Sequence, residues 1–551
     1  MSKERPIFIF VSGGVISGLG KGITTASLAL LFKSAGFRVS VMKVDMYLNQ
    51  DAGTMNPMEH GEVFVTQDGI ETDEDLGHYE RFLNQNLNFK NYMTAGQIYK
   101  LVLEKERRLE YQGRSIDAYL EIPQEVIKKW ETAARNQDFF FIEMGGTVGE
   151  YQNILFFEAA RRLKIKYPNR VFFVHIVYLP IPASLGEMKS KPAQQSVLTL
   201  NTLGIFPDFI VCRAEKPVDA KRREKIALAA ALPKERVFSA PDANIIYEVP
   251  LILAQQKMPQ VMLKVMGIKR KLKRNLKHWQ AIVNKVSLTK KKIRVAIVAK
   301  YYASGEFSLS DSYVSVVEAI KHGAWCYNLQ PEIVWINSEE LEEGKDPKAV
   351  FENISAMVVP GGFGSRGIEG KIKAIRWARE NKIPFLGLCY GMQLAVIEFA
   401  RNVLGLKDAQ TTEIDLQTNN PVIHLMPEQE KKMLKQDYGG TMRLGDWSCW
   451  LRPKTQAAYF YHKFGWIGKR GKRIIKERHR HRYEFNNQYR QRFEKAGMII
   501  SGTTVDNKLV EIIELKKNKH PFFIGVQFHP EFQSRFEKPH PLFLGLISFC
   551  L

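Results

Sequence analysis

A cysteine flanked by glycines stands where an apolar run changes into a helical pattern. In IPFLGLCYGMQLAV, residues 383–396, Cys389 lies between Gly387 and Gly391. Small neighbours permit a sharp strand-to-helix turn, and the helix N-terminus favours the thiolate form of a cysteine. The pattern therefore predicts a nucleophile, and a buried cysteine with only a packing role is the alternative.

A nucleophilic thiolate needs a base to move protons and a third group to orient that base. The string VQFHPEF, residues 526–532, supplies His529 and Glu531 directly after a predicted strand. The glycines of VVPGGFGSRG, residues 358–367, offer backbone N–H groups for an oxyanion. Together these residues predict acyl transfer through a thioester.

A second candidate site begins at GGVISGLGKG, residues 13–22, which joins an apolar run to a helical pattern. Glycines let the backbone approach phosphate closely, and the helix N-terminus supplies N–H groups. The alternative is a glycine-rich turn without a ligand. A standard phosphate-binding loop has Ser or Thr after its lysine to hold Mg²⁺, whereas Gly22 follows Lys21 here.

Carboxylates elsewhere must then hold the metal. Glu143 ends the apolar run FFFIEM, and a carboxylate in a central strand is costly unless it is paired or bound to a cation. The acidic residues Asp73, Glu74 and Asp75 form an acidic cluster, for which an exposed loop is ordinarily the better explanation.

The elements that carry these residues predict an α/β protein. In the first half, apolar runs alternate with amphipathic segments, which indicates a parallel sheet covered by helices. Strand-then-turn units in the second half indicate another α/β domain. A strongly basic stretch, beginning IKRKLKRNLKHWQ, interrupts the alternation. We therefore expect a domain at 1–267, a basic linker at 268–292 and a second domain at 293–551.

Composition restricts the class of protein. The 551 residues carry a net charge of +22, which would attract polyanions, but aromatic residues do not interleave with the basic runs as they do in nucleic-acid recognition modules. No apolar run reaches the length of a membrane span, and the first apolar run is too short for a signal segment. Five scattered cysteines favour a reducing compartment, so the cytoplasm is the expected location.

Four long strings resemble the synthetase domain of CTP synthases: GGVISGLGKG, DAGTMNPMEHGEVFVTQDGIETDEDLGHYERF, EMGGTVGE and GEMKSKPAQQSV. The second half is similar to the class I glutamine amidotransferases, and the resemblance covers essentially the whole chain. It implies an N-terminal P-loop-type amidoligase domain and a C-terminal glutaminase domain. The implied activity is the ATP-dependent amination of UTP to CTP, with ammonia taken from glutamine.

The resemblance also implies residue roles. The catalytic residues would be Cys389, His529 and Glu531, and the Mg²⁺ ligands would be Asp75 and Glu143. ATP would be held by Gly18, Leu19, Gly20, Lys21, Gly22, Lys43, Asp75, Pro241, Asp242 and Ala243. UTP or CTP would contact Ser17, Glu150, Tyr151, Gln152, Lys189, Lys191, Gln194 and Lys225. Glutamine would contact Gly362, Tyr390, Gly391, Met392, Gln393, Glu413 and Arg480.

The family also implies a homotetramer, GTP as an allosteric activator and His60 near the ammonia entrance. The chain departs from the family at IDAYLEIP, residues 116–123, at 150–152 and at Ala229, where an aromatic residue is common. Loss of an acceptor carboxylate and a stacking ring predicts weak feedback inhibition by CTP. The stretch 450–473 is unlike typical members, which makes GTP activation the least supported of these expectations.

Two other functions remain as alternatives. One is a related P-loop amidotransferase that amidates carboxylates of a cofactor precursor, which the uninterrupted string GEVFVTQDGIETDEDLGHYERF opposes. The other is a catalytically weakened scaffold or nucleic-acid-binding protein, suggested by the positive charge. The presence of every predicted catalytic group opposes it, and we expect no membrane partner and no specific nucleic acid.

Overall fold

The computed structural model describes residues 5–269, 276–299, 303–304, 307–308, 310–362, 364–426, 429, 439–468 and 473–551. The chain forms two compact units: 1–51 with 78–283, and 52–77 with 284–551. This division differs from the expected continuous domain at 1–267, because 52–77 belongs with the second unit. The expected linker at 268–292 lies partly outside the described residues, and its described end contains the helix Lys277–Leu288.

The first unit is built on a seven-stranded parallel sheet. In spatial order its strands are Tyr92–Thr94, Val39–Asp45, Phe139–Met144, Ile7–Gly13, Val171–Tyr178, Phe209–Ala214 and Val237–Pro241. All residues of the two central strands Ile7–Gly13 and Phe139–Met144 are buried. Continuous apolar runs form such strands because helices cover both faces of the sheet, and the sequence predicted these strands correctly.

Most helices of this unit lie between its strands, and the helices Val249–Gln255 and Met258–Val265 follow the last strand. They are Lys21–Ser34, Ala95–Arg107, Ala118–Ala133, Ile154–Lys166, Lys191–Thr202, Ala220–Ala229, Val249–Gln255 and Met258–Val265. Short 3₁₀ turns lie at Phe89–Asn91, Tyr151–Asn153, Lys234–Arg236 and Ile246–Glu248. Two further helices, Asp75–Leu83 and Lys277–Leu288, carry the chain across the boundaries of the units.

The second unit contains a nine-stranded mixed sheet. In spatial order its strands are Gln330–Asn337, Lys292–Ala299, Ala356–Val359, Phe385–Leu388, Phe523–Val526, Val510–Leu515, Met498–Thr504, Arg443–Leu451 and Ile474–His481. The first five strands are parallel, and the remaining pairings are antiparallel. The parallel strands place Val359, Leu388 and Val526 at one edge of the sheet, where the loops that follow them meet.

Smaller elements complete this unit. Three strands, Ala409–Thr411, Asn420–Leu425 and Tyr483–Phe485, form a separate sheet, and Phe64–Val65 pairs with Glu71–Thr72. A further pair joins Ala303–Ser304 to Phe307–Ser308. The helices are Pro57–His60, Val314–Cys326, Ser338–Glu342, Pro347–Val350, Ile368–Glu380, Tyr390–Asn402, Gln456–Lys463, Arg490–Lys495 and Pro541–Ser548, with 3₁₀ turns at Ser310–Tyr313, Asn487–Tyr489 and Pro530–Gln533.

Two hydrophobic clusters flank the nine-stranded sheet, and both include residues of its central strands. Within the described part of the chain, no helix has the length and apolar character that crossing a membrane requires.

Candidate active site

The cysteine of the second unit lies on a sharp turn between the strand Phe385–Leu388 and the helix Tyr390–Asn402. Cys389 has φ 49° and ψ −102°, and its N–H donates to the carbonyl of Val526 at 2.7 Å. A Cβ on Gly391 would lie 2.1 Å from the carbonyl oxygen of Val359. Glycine is therefore required beside the cysteine, as the sequence predicted for a nucleophile elbow.

A histidine and a glutamate lie beside this turn, as the sequence predicted. The Nδ1 atom of His529 is 2.7 Å from the Oε1 atom of Glu531, and its ring stacks on Phe532 with centroids 5.0 Å apart. A Cβ on Gly361 would lie 2.9 Å from Cε1 of His529 and 3.7 Å from Cβ of Cys389. The imidazole and the thiol thus both lie against the backbone of Gly361.

Electrostatics favour a protonated imidazole at this place. Burial alone would lower the pKa of His529, but the Glu531 carboxylate and the Cys389 sulfur outweigh burial and raise it to about 10. A positively charged imidazole between a sulfur and a carboxylate is the charge arrangement that a cysteine nucleophile uses. The group can therefore deliver a proton to a departing amine.

The three side chains line a cavity of about 540 Å³, large enough for a small amino acid. Gly361, Gly362 and Arg480 line it as well, and residues 53–63 contribute part of its wall. The predicted glutamine contact Gly362 therefore lies at the cavity together with the predicted nucleophile.

The other predicted glutamine contacts lie around this cavity or support its loops. Glu413 accepts a hydrogen bond from the N–H of Gly364 at 2.9 Å, and the hydroxyl of Tyr390 donates to the Gly364 carbonyl at 3.1 Å. Gln393 donates to the carbonyl of Tyr483 at 2.9 Å. The predicted contacts Gly391 and Met392 are buried in the first turn of the helix Tyr390–Asn402.

The glycine-rich loop of the first unit ends in a helix that begins at Lys21. Gly18 and Gly20 have φ of 72° and 77°, a conformation that favours glycine, and no side chain caps the helix. Lys21 donates to the carbonyl of Gly146 at 2.8 Å, so it ties the loop to the turn after the strand Phe139–Met144. The uncapped N–H groups and the lysine suit a phosphate ligand.

A buried histidine supports the start of this loop. The Nδ1 atom of His175 is 2.9 Å from the hydroxyl oxygen of Ser12, and its Nε2 atom is 2.7 Å from that of Ser196. Burial and the nearby Lys21 charge lower the pKa of His175 to about 3, so the ring is neutral at pH 7. A Cβ on Gly14 would lie 1.9 Å from Oγ of Ser196, so the loop packs directly on this serine.

Lys43 and Glu143 face each other on adjacent strands. The two residues are partners in the register of the neighbouring strands. The Nζ atom of Lys43 lies 3.3 Å from Oε1 of Glu143 and 3.7 Å from Oδ1 of Asp45. The hydroxyl of Tyr79 donates to Glu143, which is 1% exposed. Within the described residues no group of three or more His, Cys, Asp or Glu side chains could by itself hold a metal ion. Glu143 offers carboxylate oxygens of the kind that Mg²⁺ binds, but its pairing with Lys43 and Tyr79 already accounts for its burial, so its role as a metal ligand stays a prediction.

The remaining predicted nucleotide contacts lie on loops and helix ends. Ser17, Tyr151, Gln152, Lys191, Lys225 and Asp242 are exposed, whereas Lys189, Gln194, Pro241 and Ala243 are partly buried and Leu19 and Gly22 are buried. Glu150 accepts from the N–H and the hydroxyl of Thr147, and Lys189 pairs with Glu187 at 2.8 Å. Asp75 opens a helix, with its N–H bonded to Asp73 at 2.9 Å. His60 is exposed, and Ala229 ends the helix Ala220–Ala229.

Sequence reasoning missed several residues at these sites. Arg213 donates to the carbonyl of Pro241 at 3.0 Å and to Asp242 at 2.8 Å, and its Nε lies 3.9 Å from the position of a Cβ on Gly20. Its place at the end of an apolar strand was an available signal. Glu71 and Gln527 contact Arg480 and Cys389 respectively, and no local pattern indicates either contact.

In the comparison with known protein families, the two halves of the chain match different family models. Residues 7–268 match the family model of the CTP synthase N-terminus, and residues 308–549 match that of class I glutamine amidotransferases. The chain is 46% identical to the CTP synthase of Synechococcus sp. (strain JA-3-3Ab) over 547 residues, which cover 99% of this chain and 97% of that protein. It is also 46% identical to the CTP synthase of Pyrobaculum calidifontis, over 98% of both chains.

A solved structure of the glutaminase domain of Trypanosoma brucei CTPS with bound acivicin is 35% identical to this chain. The match covers 47% of this chain and 93% of that domain, with a TM-score of 0.41. The matches to full-length relatives extend over almost all of both sequences. The chain therefore belongs to the CTP synthase family, whose members are ligases that use glutamine as amide donor.

Proposed function

We propose that this chain converts UTP to CTP with ATP and with ammonia released from glutamine at Cys389. The observation that carries the proposal is the Cys389, His529 and Glu531 group at a cavity that fits a small amino acid. The family membership names the nucleotide substrates, and the uncapped glycine-rich loop of the first unit supports them.

The geometry supports a thioester mechanism for ammonia release. The Cys389 thiolate attacks the amide carbon of glutamine, and N–H groups of Gly362 and Tyr390 stabilise the oxyanion. His529 gives its proton to the leaving nitrogen, so ammonia departs and the acyl group stays on sulfur. Water, deprotonated by His529, then attacks the thioester, which returns the thiol and releases glutamate. Glu531 holds the imidazole in one orientation throughout.

In the first unit, ATP would phosphorylate O4 of UTP, and ammonia would displace phosphate at C4. The loop from Gly18 to Gly22 would hold the ATP phosphates, and the buried Lys43 would neutralise charge on the transferring phosphoryl group. Glu143 would bind Mg²⁺, with Asp75 as the second ligand predicted from the sequence. When bound, the metal supplies positive charge that polarises phosphate oxygens.

Several finer expectations join this proposal. UTP would be contacted by Lys189, Lys191, Gln194, Lys225 and Ser17. The departure from the family at residues 150–152 would make CTP bind weakly. The family resemblance supports a homotetramer, GTP activation and a cytoplasmic location. Lys191 and Lys225 are exposed and thus accessible to a triphosphate, whereas Lys189 is partly buried.

The test is product analysis by chromatography with UTP, ATP, Mg²⁺ and either glutamine or an ammonium salt. Wild type should form CTP from both nitrogen sources. Cys389→Ala should form CTP only from ammonium, because the nucleotide chemistry does not need the thiol. Folded wild-type protein that forms no CTP from either source would refute the proposal.

A further inference from the structure

Arg480 is held by residues that lie more than four hundred positions earlier in the chain. Its Nε donates to Oε1 of Glu71 at 2.8 Å, and one terminal nitrogen donates to the carbonyl of Gly53 at 3.2 Å. The side chain of Glu71 is 1% exposed and that of Arg480 is 12% exposed. This pair is therefore shielded from water, where a charge-assisted hydrogen bond fixes geometry strongly.

The orientation of Arg480 bears directly on the thiol site. Arg480 lines the same cavity as Cys389 and His529, and its backbone carbonyl lies 3.7 Å from the sulfur of Cys389. An arginine side chain has many rotamers, and binding a ligand with it costs entropy unless the guanidinium is fixed beforehand. Glu71 and Gly53 supply that constraint from one side.

The segment 52–77 is itself firmly attached within the second unit. The ring of Phe64 packs on Phe532 with centroids 5.0 Å apart, next to the catalytic His529 and Glu531. Arg478 donates to the carbonyl of Val65 at 3.0 Å. The segment is thus anchored beside the catalytic residues as well as at Arg480.

Glu71 is held in place inside that segment. Its backbone carbonyl accepts a hydrogen bond from the N–H of Ala52 at 3.1 Å. It also lies opposite Val65 in a pair of antiparallel strands. A Cβ on Gly53 would lie 2.1 Å from Oε2 of Glu71, so the carboxylate packs against this glycine. Both groups that hold Arg480 are therefore fixed relative to each other.

We propose that Glu71, with the carbonyl of Gly53, is a positioning residue that orients Arg480 to bind the carboxylate of glutamine. The inference rests on the proposed function, because it takes glutamine as the occupant of the cavity. It adds a role for a segment that the sequence places in the nucleotide-binding half of the chain.

The test compares glutamine-dependent and ammonium-dependent kinetics of wild type and Glu71→Gln. Glutamate release by Glu71→Gln should show a KM for glutamine raised on the order of 10-fold to 100-fold, since a charge-assisted hydrogen bond to Arg480 is lost. CTP formation from ammonium should stay within about twofold of wild type, because that reaction bypasses the cavity. Glu332→Gln, which alters an exposed carboxylate 3.5 Å from Arg294, is the matched control and should match wild type in both assays.

A double-mutant cycle separates positioning from general damage to the fold. If Glu71 acts through Arg480, Glu71→Gln should change KM much less in an Arg480→Lys background than in wild type. Additive effects, an unchanged KM, or an equal loss of the ammonium-dependent activity would each overturn the proposal. If Glu71→Gln does not fold, Glu71→Asp carries the same comparison, because it keeps the charge but shortens the side chain.

The readout distinguishes this inference from the proposed function. Glutamate release reports on the thiol cavity alone, so the KM comparison decides the role of Glu71 even if no CTP is formed. Absence of CTP from both nitrogen sources would refute the proposed function and leave the KM comparison valid.

Discussion

The hydrogen bonds of His175 allow a quantitative prediction for the first unit. Ser196→Ala removes the hydroxyl that lies 2.7 Å from Nε2 of a histidine with no exposed surface. Water cannot replace that partner, and a buried polar atom left without one costs about 1–3 kcal/mol. The opening free energy of the strand Val171–Tyr178 should fall by this amount.

Amide hydrogen exchange measured by mass spectrometry tests this value directly. A loss of about 1–3 kcal/mol raises exchange rates of amides in 171–178 by about 5-fold to 150-fold, if they exchange through opening of the unit. Thr202→Ala is the matched control, since it removes an exposed hydroxyl from the same helix and should change the free energy by less than about 0.5 kcal/mol. Exchange in Ser196→Ala that equals exchange in Thr202→Ala would refute the reasoning.

Three further predictions concern titration and packing. The folded-state pKa of His175, about 3, lies below its ordinary 6.5, so its contribution to stability is present above pH 6.5 and is lost as pH falls towards 3. Acid unfolding should therefore shift to lower pH in His175→Gln, and an unshifted transition would argue against this origin. Glu531→Gln removes a cause of the raised pKa of His529, so the alkaline limb of glutamine hydrolysis should move to lower pH and the rate should fall by about 10²-fold to 10⁴-fold. A pH–rate profile checks both effects, and an unchanged limb would exclude His529 as the titrating group. Gly391→Ala places a methyl group against the Val359 carbonyl, so glutamate release should be abolished while ammonium-dependent CTP formation persists. Glutamate release at the wild-type rate would show that the turn can relax.

The residues of the candidate thiol site could be named from the sequence because their signal is local. The glycines on either side of Cys389 are needed by one turn, and the spacing of His529 and Glu531 allows one hydrogen bond between neighbours. Parallel strands of both sheets were also predicted, since continuous apolar runs such as 139–144 mark strands that are covered on both faces. The antiparallel strands Arg443–Leu451 and Ile474–His481 were not predicted, because their sequences lack such a run.

Contacts between distant parts of the chain left no local signal. The pairing of Lys43 with Glu143 depends on the order of strands in the sheet, and the pairing of Glu71 with Arg480 depends on the folding of an entire segment. Composition also misleads locally: Arg478 and His479 belong to a strongly basic run but are fully buried. The fold places both side chains inside the second unit.

The assignment of 52–77 to the second unit means that the backbone passes between the two units three times, near residues 51, 77 and 283. One proteolytic cut near residue 283 would therefore leave the units covalently joined through the two other connections, near residues 51 and 77. A fragment made from 293–551 would retain Cys389, His529 and Glu531 but would lack Gly53 and Glu71. The two units thus alternate along the sequence. Dividing the gene at the basic stretch would therefore not produce one polypeptide for each unit.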